Sequence, residues 1–132
     1  MPSFDRRELL AICAGGACGA LLRVWLGETF PAGVGAWPWA IFAINVTGSF
    51  ALAYLATRLQ ERLPLSTYRR PLLGTGFCGA YTTFSTMAVE IVRFLDAGRY
   101  GLALGYAAAS IAAGFAAIWV ATTVARRTRV LA

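Results

Sequence analysis

Long apolar stretches alternate along the chain with short clusters of Arg, Pro and Gly. A helix that crosses a bilayer needs about 20 mostly apolar residues. Stretches at 9–26, 37–57, 72–95 and 100–125 meet that requirement, the third being apolar to Val89 and continuing through Glu90 and Arg93. Their limits are marked by residues that stop helices. Pro31, Gly33, Gly35 and Pro38 make a first loop, with Trp37 and Trp39 expected at a membrane interface. Arg58 to Arg62 and Pro64 close the second stretch, and Pro71 suits the first turn of the third. Asp96-Ala97-Gly98-Arg99 reads as a turn into the fourth, which ends at Arg126-Arg127-Thr128-Arg129. The pattern predicts an all-α integral membrane protein: one domain over residues 1–132 with four transmembrane helices.

Composition agrees with that reading. Hydrophobic residues make up 58% of the 132 and charged residues 14%, against about a quarter charged in soluble domains, and the mean hydropathy is +0.63. The net charge of +6 comes entirely from Arg, since there is no Lys and no His. The arginines flank apolar runs and form no continuous patch, which argues against nucleic-acid binding and for membrane loops. Arg6 and Arg7 ahead of Leu9 to Ile12 resemble the start of a signal peptide, but the apolar run continues past Ala20 without a polar cleavage region. A retained first span is therefore expected. Cys13, Cys18 and Cys78 lie within apolar runs and read as reduced packing residues.

Small residues spaced by four, Gly15 with Gly19 and Gly101 with Gly105, predict close helix contacts. Polar groups within spans are costly and point to function. Asn45 and Ser49 lie one turn apart in the second span, as do Tyr106 and Ser110 in the fourth, and the third carries Thr82, Thr83, Ser85 and Thr86. A single hydroxyl such as that of Thr122 or Thr123 can bond back to a carbonyl one turn earlier, but a cluster at one depth asks for another purpose. These groups are neutral, with almost no intramembrane acid, and so suit an anion better than a cation. Arg23 can either draw anions into a vestibule or snorkel to lipid headgroups. Glu90 stands near the end of the third span.

Gly74, Gly76 and Gly79 precede the hydroxyl run, so the third helix is expected to break near its centre, between Gly79 and Ser85. A break exposes carbonyls that can hold a cation and amides that favour an anion. Such backbone persists at membrane depth only when buried in protein or lining a cavity.

The run Gly76-Phe77-Cys78-Gly79-Ala80-Tyr81-Thr82-Thr83-Phe84-Ser85-Thr86 resembles the signature of the Fluc (CrcB) family of fluoride channels. Gly15-Gly16 to Arg23, Asn45 to Phe50, and Gly105-Tyr106 to Ser110 match in order, so the resemblance covers nearly the whole chain. It implies an antiparallel, dual-topology dimer in a bacterial inner membrane, with two fluoride pores and a central structural sodium ion that is not carried. By position, the backbone carbonyls of Gly79 and Thr82 from both subunits would hold the sodium. Phe84 would turn its ring edge to fluoride. Asn45, Ser85, Thr86, Tyr106 and Ser110 would line or brace the path, with Arg23 at its entry and Glu90 along it. Two departures stand out: Met87 replaces the family's second pore phenylalanine, and Gly114 stands where a later hydroxyl is expected.

A small multidrug transporter would need an ionisable carboxylate in the first span, and there is none past Glu8. A non-transporting assembly protein would account for the glycines but leave the hydroxyl cluster without a purpose. A membrane enzyme is the reading least favoured, since no nucleophile, base and orienting group can be assembled. The arginines are also sided. Arg6, Arg7, Arg58, Arg62, Arg69, Arg70, Arg126, Arg127 and Arg129 fall to one side of the four spans, and Arg23, Arg93 and Arg99 to the other. That bias favours both termini in the cytoplasm, so an antiparallel homodimer needs some inverted copies of this chain, or a second chain of opposite bias replaces one copy.

Overall fold

The computed structural model describes residues 5–61 and 68–128, and among these every regular element is helical. In chain order the elements are α1 (Arg6–Thr29), α2 (Trp39–Glu61), a π-type helix π1 (Arg70–Cys78), the short α3 (Gly79–Tyr81), α4 (Phe84–Asp96) and α5 (Tyr100–Arg127). Three of them are long and apolar enough to cross a membrane: Arg6–Thr29, Trp39–Leu59 and Tyr100–Arg127. Exposed Leu, Val, Ile, Phe and Trp cover their outer faces. This pattern is expected of helices whose surroundings are lipid rather than water.

Helix ends follow the sequence cues. Asp5 caps α1 by accepting from Arg7 N at 2.9 Å. Gly98 takes φ +70° in the turn between α4 and α5, where an L side chain would be strained. Pro71 lies in the first turn of π1. Two hydrogen bonds tie the ends of the bundle: Tyr68 Oη donates to Asp5 Oδ2 (3.2 Å) at one end, and Arg99 Nη1 to Gly35 O (3.3 Å) at the other. Arg6, Arg7, Arg69 and Arg70 therefore share an end of the fold opposite Arg99, while Arg62 and Arg129 lie outside the described residues.

The most extensive packing sets α1 against π1 and α2 against α5. The α1–π1 seam is where the glycine spacing acts. A Cβ on Gly15 would collide with the carbonyl oxygen of Leu72, and one on Gly19 with that of Phe77. From the other side, a Cβ on Gly76 would lie 2.6 Å from Ile12 O. Backbones this close leave no room for a methyl group. Gly101 and Gly105, expected to pack as tightly, face open space within the chain. Cys78 is buried, whereas Cys13 and Cys18 are exposed on α1, so the packing role expected of all three cysteines holds inside the chain only for Cys78. Thr122 and Thr123 bond back to Ile118 O and Trp119 O, both at 2.8 Å, and ask for no further explanation.

This seam makes a direct prediction. Gly19→Ala should lower stability by about 1–3 kcal/mol, the usual cost of overpacking. Gly101→Ala should cause little loss within the chain. Thermal unfolding of the two purified variants in detergent compares them, and equal midpoints would contradict the packing described.

Candidate functional site

The polar residues converge where π1 and α3 give way to α4. Helical geometry stops at Tyr81, Thr82 (φ −75°, ψ 154°) and Thr83 (φ −150°, ψ 115°) are extended, and α4 restarts at Phe84. Side chains from α2 hold this stretch. Asn45 Nδ2 donates to Thr83 O at 3.0 Å, and Thr83 N donates to Asn45 Oδ1 at 2.8 Å. The Thr83 amide is thereby directed away from the Gly79 carbonyl four residues earlier, and the side-chain amide substitutes for helical bonding. One turn on, Gly48 provides the clearance, since a Cβ there would run into Thr82 Cγ2.

Each half-helix end has its own partner. On the carbonyl side, Arg23 Nε donates to Ala80 O at 3.0 Å, and Thr82 Oγ1 donates back to Cys78 O at 3.0 Å. Through its Nε, Arg23 of α1 satisfies a helix-end carbonyl. On the amide side, the nearly buried Thr83 caps α4: its Oγ1 accepts from Thr86 N (3.1 Å) and donates to Thr86 Oγ1 (3.0 Å). Ser85 Oγ lies within 3.2 Å of the same oxygen. The result is a hydroxyl cluster at a helix N-terminus, where a negative charge is favoured.

Two cavities gather part of the expected residues, while Arg23, Gly79, Ser85 and Tyr106 line neither. One, of about 320 Å³, opens beside the interruption and is lined by Asn45, Thr82, Phe84, Met87 and Ser110, among others. Phe84 is 78% exposed there. The other, of about 260 Å³, contains Thr86 and Glu90, with Arg93 beside them. Arg93 Nη1 donates to Glu90 Oε1 at 2.8 Å. Gly114 lines the first cavity without adding a donor.

Tyr106 is fully buried, edge-on to Trp37 (5.2 Å between ring centroids, 86°) and to Phe94 (6.0 Å, 72°). Its hydroxyl, Ser110 Oγ and Trp37 Nε1 are buried without a hydrogen-bond partner among the described residues. Orphan donors of this kind are uncommon and costly. The half-buried ring of Trp37 packs against the aromatic core, and its indole N–H joins the unpartnered set. No feature of its sequence context gave that away, because a Trp after a loop reads equally well as an interface anchor. Trp39, by contrast, is 68% exposed, as expected for that role.

Among the described residues no cluster of three His, Cys, Asp or Glu could bind a metal. A cation at the interruption would have to use backbone oxygens. Two carbonyls are left there: Gly79 O has lost the amide of Thr83 and Thr82 O stands outside the helix, while the Thr82 hydroxyl is already engaged with Cys78 O.

Apolar helices around a membrane-depth polar cluster define a multi-pass membrane protein. The family model for CrcB-like proteins, also described as camphor resistance (CrcB), matches residues 10–122. The chain is 52% identical over 130 residues to the fluoride-specific ion channels FluC 1 of Mycobacterium bovis and Mycobacterium tuberculosis, covering 98% of each chain. It is 40% identical over 126 residues to fluoride-specific ion channel FluC 2 of Nocardia farcinica, covering 96% of this chain and 90% of that one. The chain belongs to the CrcB family.

Proposed function

We propose that this chain forms a fluoride-selective channel in a bacterial inner membrane, lowering cytoplasmic fluoride by passive, electrogenic efflux. The observation that carries this reading is 52% identity, over almost the whole length, to relatives named as fluoride-specific channels. The geometry supports it. Fluoride is small and strongly hydrated, and it gives up water only to dense, well-oriented donors. The α4 N-terminus with Ser85 and Thr86, the unpartnered hydroxyls of Tyr106 and Ser110, and the exposed Phe84 supply donors of this kind along the route. Asn45 spends one donor and its acceptor on Thr83, so it braces the path, with one N–H left for an anion.

In this reading π1, α3 and α4 together make a fourth span, broken at Thr82–Thr83. Two antiparallel chains bring their breaks together, and the carbonyls of Gly79 and Thr82 from both hold one sodium ion. The sodium fixes the two half-helix ends and is not transported. Arg23 steadies the same carbonyl end from α1. The arginine bias places the end bearing Arg6, Arg7, Arg69 and Arg70 in the cytoplasm, so either inverted copies of this chain or a paralogue of opposite bias completes the dimer.

The test is flux from liposomes loaded with fluoride or chloride and containing the purified chain alone. Fluoride should leave rapidly once a potassium ionophore relieves the charge imbalance, and chloride far more slowly. Equal rates would sink the selective channel. Fluoride efflux that appears only when a second, oppositely oriented family member is added would establish the two-chain dimer instead of the homodimer.

A further inference from the structure

Glu90 poses a problem for any anion route that passes it. A carboxylate at membrane depth is costly in itself, and it repels the ion that the neighbouring donors attract. The structure shows what stands against it. Thr86, Glu90 and Arg93 follow one another at i, i+4 and i+7 on α4, and all three line the same 260 Å³ cavity. In that lining Glu90 is the only acid and Arg93 the only base. Their side chains meet at 2.8 Å, with Glu90 14% and Arg93 69% exposed. Arg93 thus reaches from the outer end of the cavity back onto a carboxylate sunk inside it. A second cavity, of about 430 Å³, is also lined by the pair; it adds Asp96, and Arg99 donates to the carbonyl of Gly35 in its wall. Without Arg93, the lining of the 260 Å³ cavity would carry only the negative charge of Glu90.

We infer that Arg93 is a positioning residue for anion passage: by pairing with Glu90 it neutralises the carboxylate and draws it aside, opening the cavity between Thr86 and the loop at residues 30–38 to an anion. This rests on the channel reading above. Stability does not account for the pair, because an exposed arginine in an i, i+3 ion pair contributes little to folding. Its consequence lies in the field inside a cavity walled by Phe30, Pro31, Pro38 and Ile41, into which the 14% exposed Glu90 is sunk.

The experiment is a charge cycle on the full chain in liposomes, read as fluoride flux, with thermal unfolding measured in parallel. Arg93→Gln should lower flux on the order of tenfold, as expected for an uncompensated charge near a permeating ion, while the unfolding midpoint stays at the wild-type value. Arg93→Lys should retain most of the flux. Glu90→Gln combined with Arg93→Gln should recover most of what Arg93→Gln alone loses, which no purely structural role of Arg93 would produce. Wild-type flux in Arg93→Gln, or a loss that the double substitution fails to recover, would overturn the inference while leaving the channel intact. A wild-type chain that releases no fluoride, alone or with a family partner, would overturn the channel reading and this inference with it.

Discussion

Phe84→Ile should reduce fluoride flux on the order of a hundredfold, the factor produced by losing ~2.7 kcal/mol of stabilisation at the highest point of the path. Phe84 is the first residue of α4 and projects into the 320 Å³ cavity shared with Asn45, Thr82 and Ser110. An isoleucine keeps much of the bulk but has no ring quadrupole, and so no positive edge to offer an anion. Because Phe84 is 78% exposed within the chain, the change removes little packing there, and a loss of flux reports on the path rather than on folding. Met87, one turn further on, makes the complementary test. It lines the same cavity while packing, half-buried, against the cluster of Phe94, Ala103 and Tyr106. Met87→Phe should keep or raise the flux, since the larger ring can turn toward the cavity. A dead Met87→Phe would show that the core side has no room for it, and wild-type flux in Phe84→Ile would remove the aromatic edge from the mechanism.

Three long apolar helices were legible from apolar run length alone, because the bilayer imposes one length and one composition on any helix that crosses it. The ends of α2 and α5 lie a few residues beyond the expected limits, where Arg58 and Arg126 extend the last turns and suit a helix C-terminus. The interruption of the third segment was also foreshadowed, since glycines before a hydroxyl run weaken helical bonding. Its agents were not. Arg23 and Asn45 lie 57 and 38 residues from the backbone groups they hold, and no local pattern encodes a bond across that separation. The same limit explains the glycines: spacing revealed that Gly15 and Gly19 permit close approach, but only the fold shows π1 as the partner and leaves Gly101 and Gly105 facing away. Trp37 and Arg93 became functional candidates through three-dimensional neighbours, not through motif.

Asn45→Leu should abolish fluoride flux and lower stability by about 1–3 kcal/mol, the cost of leaving the Thr83 carbonyl without a partner. Leucine resembles asparagine in size but can neither accept from Thr83 N nor donate to Thr83 O, the two bonds that hold the extended residue between α3 and α4. With both gone, the Thr83 amide is free to close a helical turn on Gly79 O. The chain then gains a hydrogen bond and loses the geometry of the interruption. The carbonyl proposed for sodium would be consumed, and the α4 N-terminus would turn away from the cavity. Asn45→Asp separates the two contributions. It retains the acceptor for Thr83 N, and with it part of the stability, but loses the donor and puts a negative charge beside the anion route. It should therefore unfold at a higher temperature than Asn45→Leu while conducting almost as poorly. Flux assays and thermal unfolding on the same preparations decide the matter. Should Asn45→Leu conduct like the wild type, the clamp on Thr83 would not be what keeps the path open, and the break would have to be held from the α1 side, through Arg23 and Ala80.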